Sequence, residues 1–74
     1  MKINPEITPL YEIYRMSKVI RVTGLSRSSI YRLESKRLFP ARLKLSSSAS
    51  GWRSNDVHEW IANLPLATEA KGAK

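Results

Sequence analysis

The sequence predicts a mainly α domain with one small β-hairpin, and three observations carry that expectation. Apolar residues recur at helical spacing in three short segments. One stretch, "ARLKL", alternates apolar and polar instead. Gly24, Pro40 and Pro65 stand between these segments, where a chain changes direction. At 74 residues there is room for one core and no second domain.

Taken in order, the elements are as follows. Residues 1–13 contain Pro5 and Pro9 and no sustained period, and read as a flexible arm that Ile7 or Leu10 could dock. The segment "SKVIRVT" is a short helix with Ser17 at its N-cap and Val19, Ile20 and Val22 as its apolar members. Gly24 follows where a helix end needs a left-handed residue. Leu25 is then an apolar anchor, and Ser26 can cap a second helix running from about Arg27 to Arg37. Helix, short glycine-containing turn, helix is the pattern of a helix-turn-helix.

On a wheel of 100° per residue, Ile30 and Leu33 point to one side of the second helix. Ser28, Tyr31, Arg32 and Ser35 point to the other, with Arg27 at the exposed N-terminal edge. Phe39-Pro40 stops the helix, because the residue before a proline disfavours helical backbone. "ARLKL" and "WR" then form the hairpin, with Leu43, Leu45 and Trp52 inward, Arg42, Lys44 and Arg53 outward, and a flexible tip from Ser46 to Ser50. A last helix opens at Ser54 as cap, has Asp56 in its first turn, and places Val57, Trp60, Ile61 and Leu64 at i, i+3, i+4, i+7. Pro65 ends it, and residues 66–74 read as a frayed, disordered tail. The expected core is Ile30, Leu33, Leu43, Trp52, Val57, Trp60 and Ile61.

Charge is the most informative bulk property. The formal net charge is +7, and the excess is concentrated: between Arg15 and Arg53 ten cations stand against Glu34 alone. A basic middle on a small domain is the footprint of a polyanion binder. Other classes fail on inventory. There is no cysteine for a disulfide or thiolate site, which suits a reducing cytoplasm. No apolar run of 18 residues and no charged-then-apolar leader occurs, so neither a membrane partner nor a signal peptide is expected. His58 is the lone histidine and reads as a surface or boundary residue rather than a metal ligand. Gly24-Leu25-Ser26-Arg27-Ser28 resembles a nucleophile elbow but lacks the closing glycine and a preceding strand. No enzyme, cofactor or metal is expected.

The polar face of the second helix suits DNA. A helix fits the major groove, and the second helix of a helix-turn-helix presents its N-terminal residues to base edges. Arg27 and Arg32 have the length to reach guanine O6 and N7, while Ser28 and Tyr31 can reach a base edge or a phosphate. Ser35 and Lys36 extend that surface. Arg42, Lys44, Ser46, Ser47 and Arg53 on the hairpin would follow the backbone, positioning the protein without reading sequence. Tyr31 could equally pack against the hairpin. Two other classes remain: a basic adaptor acting through protein contacts of Tyr11 and Tyr14, and an RNA-binding regulator, for which Tyr31 is the obvious stacking ring.

From Tyr14 to Leu64 the chain resembles the AlpA-type family of small phage and prophage regulators, related to MerR-type winged helices and to excisionases. The matching residues are Arg15-Met16-Ser17, Thr23-Gly24-Leu25-Ser26-Arg27-Ser28-Ser29-Ile30-Tyr31-Arg32, Phe39-Pro40, Lys44-Leu45, Gly51-Trp52-Arg53, Val57 and Trp60-Ile61. The resemblance implies a winged helix-turn-helix that binds double-stranded DNA. It implies a transcriptional regulator, often of an integrase gene, or a recombination directionality factor that favours excision. The family usually has a glycine shortly before Phe-Pro; "SKRLFP" has none. No dimerising helix or effector segment follows the motif, as it does in MerR regulators proper, so ligand sensing by that route is not expected. One module of this size covers little more than a half-site. Further copies on adjacent sites, an integrase or RNA polymerase are therefore the expected partners beside DNA.

Overall fold

The computed structural model describes residues 12–70, so most of the expected arm and the last four residues lie outside the described residues. The elements within it are β1 (Ile13–Tyr14), α1 (Met16–Thr23), α2 (Arg27–Ser35), β2 (Leu43–Ser46), β3 (Ala49–Arg53), α3 (Ser54–Ala62) and the single turn α4 (Ala67–Ala70). The α1–turn–α2 unit followed by the β2–β3 hairpin is a winged helix-turn-helix. The sheet has the order β1-β3-β2, antiparallel throughout.

Each junction has a local cause. Gly24 ends α1 with φ 77° and its N–H on the Ile20 carbonyl. The Thr23 hydroxyl donates back to the Val19 carbonyl at 2.7 Å and accepts the Leu25 N–H at 3.2 Å, which fixes the turn. Ser26 caps α2 by accepting the Ser29 N–H at 3.2 Å. The other two caps differ from expectation. Arg15 precedes α1 without a side-chain cap, and Ser17 lies inside the helix. Helix α3 starts one residue early, so Ser54 is its first residue rather than its cap. Its buried hydroxyl accepts the Glu12 N–H, and its own N–H donates to the Glu12 carbonyl at 2.7 Å.

Those two bonds hold β1, a strand the sequence did not announce. Ile13, assigned to the arm, pairs with Arg53, and Tyr14 pairs with Trp52. Gly51 permits the approach. A Cβ there would lie 2.6 Å from Ile13 Cγ2 and 3.0 Å from the Tyr14 carbonyl oxygen, too close for any side chain.

The core is Val19 from α1, Ile30 from α2, Phe39 from the connector, Trp52 from β3 and Val57 from α3. Burying each such side chain contributes about 1.5–3 kcal/mol. Leu33, Trp60 and Ile61 pack against it, partly buried, as do Met16 and Leu25. Both indoles reach back to the connector: Trp52 Nε1 donates to the Pro40 carbonyl and Trp60 Nε1 to the Leu38 carbonyl, each at 2.8 Å. The Phe39 ring meets Trp60 edge-on at 4.8 Å and Trp52 at 6.1 Å.

The hairpin corrects the expected alternation. Leu43 is opposite Gly51, and cross-strand partners share a face, so Leu43 lies on the side away from Trp52. Leu45 falls at a register irregularity between Lys44 and Ser46 and is 42% exposed, with Cδ1 3.3 Å from the Gly51 Cβ direction. Neither leucine is a core residue. The tip is also shorter than expected: Ser47 and Ser48 make the turn, and Ser46, Ala49 and Ser50 are strand. At the C-terminal end Leu64 lies beyond α3 and is 48% exposed. Four residues of the tail assigned to disorder form α4.

Candidate nucleic-acid interface

The exposed face of α2 is built from its N-cap outward. Ser26 Oγ donates to Ser29 Oγ at 2.9 Å, and Ser29 Oγ accepts Arg32 Nη2 at 3.4 Å. This hydroxyl ladder holds the Arg32 guanidinium along the helix surface, where Arg32 stays exposed. Arg27 and Ser28 are exposed in the first turn, one and two residues past the cap, with Ser28 Oγ 3.4 Å from Ser26 Oγ. Ser35 is exposed and donates its hydroxyl to the Arg32 carbonyl at 2.8 Å. Lys36 closes the helix at its C-cap, also exposed.

That C-cap resolves the missing glycine. Leu38 N–H donates to the Leu33 carbonyl at 2.8 Å and Arg37 N–H to the Glu34 carbonyl at 2.9 Å. These are the two bonds of a Schellman ending, with Arg37 in the left-handed position at φ 62°. The helix therefore stops two residues earlier than expected, and arginine takes the conformation a glycine would adopt more easily.

Across from α2 stands the start of the hairpin, and the two are clamped together. The Arg42 N–H donates to Glu34 Oε2 at 2.8 Å, and Arg42 Nη1 donates to Glu34 Oε1 at 2.7 Å. The same guanidinium lies over the Tyr31 ring, 4.9 Å from its centroid. Tyr31 is 40% exposed, so it packs under Arg42 while keeping its edge in solvent. Tyr31, Glu34, Ser35 and Arg42 line an open cleft of about 630 Å³ between helix and wing. Lys44 is exposed and opposite Ser50, on the sheet face shared with Trp52. Ser46 and Ser47 are exposed at the hairpin end, with Ser46 Oγ accepting the Ser48 N–H at 3.3 Å.

Arg53 stands apart from this group. It is opposite Ile13, on the sheet face away from Trp52, with Nη1 3.7 Å from Asp56 Oδ2. The structure thus brings Tyr31 and Ser35 together with Arg42, keeps Arg27, Ser28 and Arg32 on the same helix surface, and turns Arg53 elsewhere. Sequence reasoning missed the role of Glu34. Its signal was in view, as the single carboxylate in the basic middle.

Chemistry of other kinds finds no comparable cluster. Among the described residues no group of three or more His, Cys, Asp or Glu could hold a metal ion, and no helix is long and apolar enough to cross a membrane. His58 is exposed on α3, and its Nε2 is 2.8 Å from the Tyr14 hydroxyl.

Comparison with known proteins places the chain in a family. A protein of Enterobacteria phage P4, "Uncharacterized protein ORF88", is 36% identical over 58 residues, which are 78% of this chain and 65% of the phage protein. The chain therefore spans just under two thirds of that relative. No solved structure matches. The family described as "Prophage CP4-57 regulatory protein (AlpA)" matches residues 12–64, a span that takes in every element from β1 to α3, and the chain belongs to that family of phage regulatory proteins.

Proposed function

We propose that this protein binds double-stranded DNA through α2 and the β2–β3 wing, and regulates an integrated phage element from within the host cytoplasm. The observation that carries the reading is one surface: the exposed Arg27, Ser28, Tyr31 and Arg32 of α2, with the Arg42 guanidinium from the start of the wing over the Tyr31 ring. In this reading α2 enters the major groove. Arg27 and Arg32 reach guanine edges, and Ser28, Tyr31, Ser35 and Lys36 contact a base edge or the flanking backbone. Lys44, Ser46 and Ser47 follow the adjacent phosphates, and Arg42, clamped to Glu34, braces the wing beside them.

Membership of a regulatory family supports a role at a promoter, such as that of an integrase gene, or at a recombination site as a directionality factor. Both roles need more contact than one module supplies, since a single module of this kind buries about 600–1,000 Å². Further copies on repeated sites, or a partner such as integrase or RNA polymerase, would add the rest. The test is a fluorescence-anisotropy titration against duplex DNA and single-stranded RNA of matched sequence, at about 50 mM salt where phosphate contacts are strong. Tighter binding to the duplex is expected. Equal or tighter binding to RNA would transfer the function to RNA. No binding to either would favour the adaptor reading.

A further inference from the structure

A second groove shares no residue with the proposed DNA face. One wall is the connector after α2, with Arg37, Leu38 and Pro40; the other is α3, with Asp56, Glu59 and Trp60. The walls are joined where Trp60 Nε1 donates to the Leu38 carbonyl at 2.8 Å. That bond uses the Leu38 backbone, and the leucine side chain stays 58% exposed. Arg37 and Glu59 are exposed, and among the described residues neither is in an ion pair, whereas Arg53 engages Asp56 at 3.7 Å.

We propose that this groove is the contact between two copies of the chain, packed about a two-fold axis. The inference deepens the DNA-binding reading above and rests on it for where the pair forms. The charges select the occupant. The carboxylates of α3 repel phosphate, so the groove faces protein rather than DNA. A cation stands on one wall and a carboxylate on the other, so a purely basic or purely acidic partner suits one wall and is repelled by the other. A second copy turned about a two-fold axis suits both. Its Glu59 faces Arg37, its Arg37 faces Glu59, and Leu38 packs against its Trp60 between them. An apolar centre with a charged rim is the ordinary anatomy of such a contact, and Trp and Arg are its strongest anchors.

Leu38, Pro40 and Trp60 offer far less than the roughly 1,200 Å² that a stable complex buries. The pair is therefore weak in free solution and forms on DNA, where neighbouring half-sites supply a local concentration on the order of mM. Two-fold copies on one duplex read inverted half-sites, whereas head-to-tail copies read direct repeats.

The test begins with in vitro selection from random duplex, which should return inverted half-sites. On synthetic duplexes carrying one or two of the selected half-sites, the second copy should bind about tenfold tighter than the first. Leu38→Ser, which keeps the backbone bonds to Leu33 and Trp60, should remove most of that advantage. Arg37→Glu and Glu59→Arg should each remove it as well. The double variant Arg37→Glu/Glu59→Arg has the wild-type net charge and should restore it. Selection of direct repeats or single half-sites, an undiminished advantage in Leu38→Ser, or no recovery in the double variant would each overturn the proposal. If the wild type binds no duplex, the DNA-binding reading falls, and sedimentation equilibrium at about 1 mM protein decides this one. Wild type should then form dimers and Arg37→Glu should not; monomers in both would overturn it.

Discussion

Arg37 is where one residue's backbone conflicts with its side chain. At φ 62° its Cβ crowds the following carbonyl, a conformation that costs an L-residue about 1–2 kcal/mol and glycine almost nothing. The Schellman bonds at Arg37 and Leu38 hold it there. Arg37→Gly should therefore stabilise the domain by about 0.5–1 kcal/mol, after the added freedom of the unfolded chain is subtracted. For a domain this small that is about 2–8 °C in Tm. Arg37→Ala removes the same charge but keeps the strained backbone, so it should not stabilise. Equal melting temperatures for the two variants would mean that charge, not backbone, governs the site. Gly24 at the end of α1 and Ser26 at the cap of α2 behave as their side chains dictate, whereas Ser17 and Ser54, read as caps on the same local grounds, lie inside their helices. Arg37 was not legible, because its left-handed backbone belongs to the Schellman bonds that end α2 rather than to its own side chain.

At the scale of elements, α2 and the wing divide the proposed work, and the division can be measured. Arg32 is held on the exposed helix surface by Ser29, whereas Lys44 stands on the hairpin with its ammonium free to follow a phosphate. Arg32→Ala should cost about 1–3 kcal/mol on a preferred site and relax the preference at one base pair. Lys44→Ala should weaken all duplexes about equally and lower the salt slope by nearly one unit. If Arg32→Ala loses the same factor on preferred and scrambled DNA, Arg32 contacts phosphate and α2 has a different rotation in the groove. The helices were legible because their apolar positions are strictly spaced, Val19 and Ile30 among them. The sheet was only half legible. Strand β1 has two residues and no pattern of its own; it exists because Gly51 lets it approach and Ser54 ties down Glu12. The wing's alternation was read with the wrong phase, because Arg42 is drawn to Glu34 across the cleft while Leu43 follows Gly51 to the outer face. Such pairing is a long-range choice that a five-residue stretch does not contain.

For the whole molecule the governing quantity is how many of its cations meet phosphate at once. Thirteen Lys and Arg are present, and the ten between Arg15 and Arg53, within the described residues, are not presented together. Arg53 lies on the far side of the sheet near Asp56, Arg42 is paired with Glu34, and Lys18 lies over the Tyr14 ring at 4.9 Å. Base-reading arginines add little to the electrostatic count if their charge is directed at groove edges rather than backbone. Four to six simultaneous phosphate contacts are therefore a reasonable footprint, well short of the net charge. With about 0.9 counterions released per contact, log K against log salt should fall with a slope of about −3.5 to −5.5. The measurement is a titration of one duplex at four or five salt concentrations between about 50 and 200 mM, the range in which counterion release dominates. A slope near zero would separate binding from charge and leave the basic surface as a solubility device. A slope steeper than about −9 would mean two copies binding as a unit, each with its own set of phosphates.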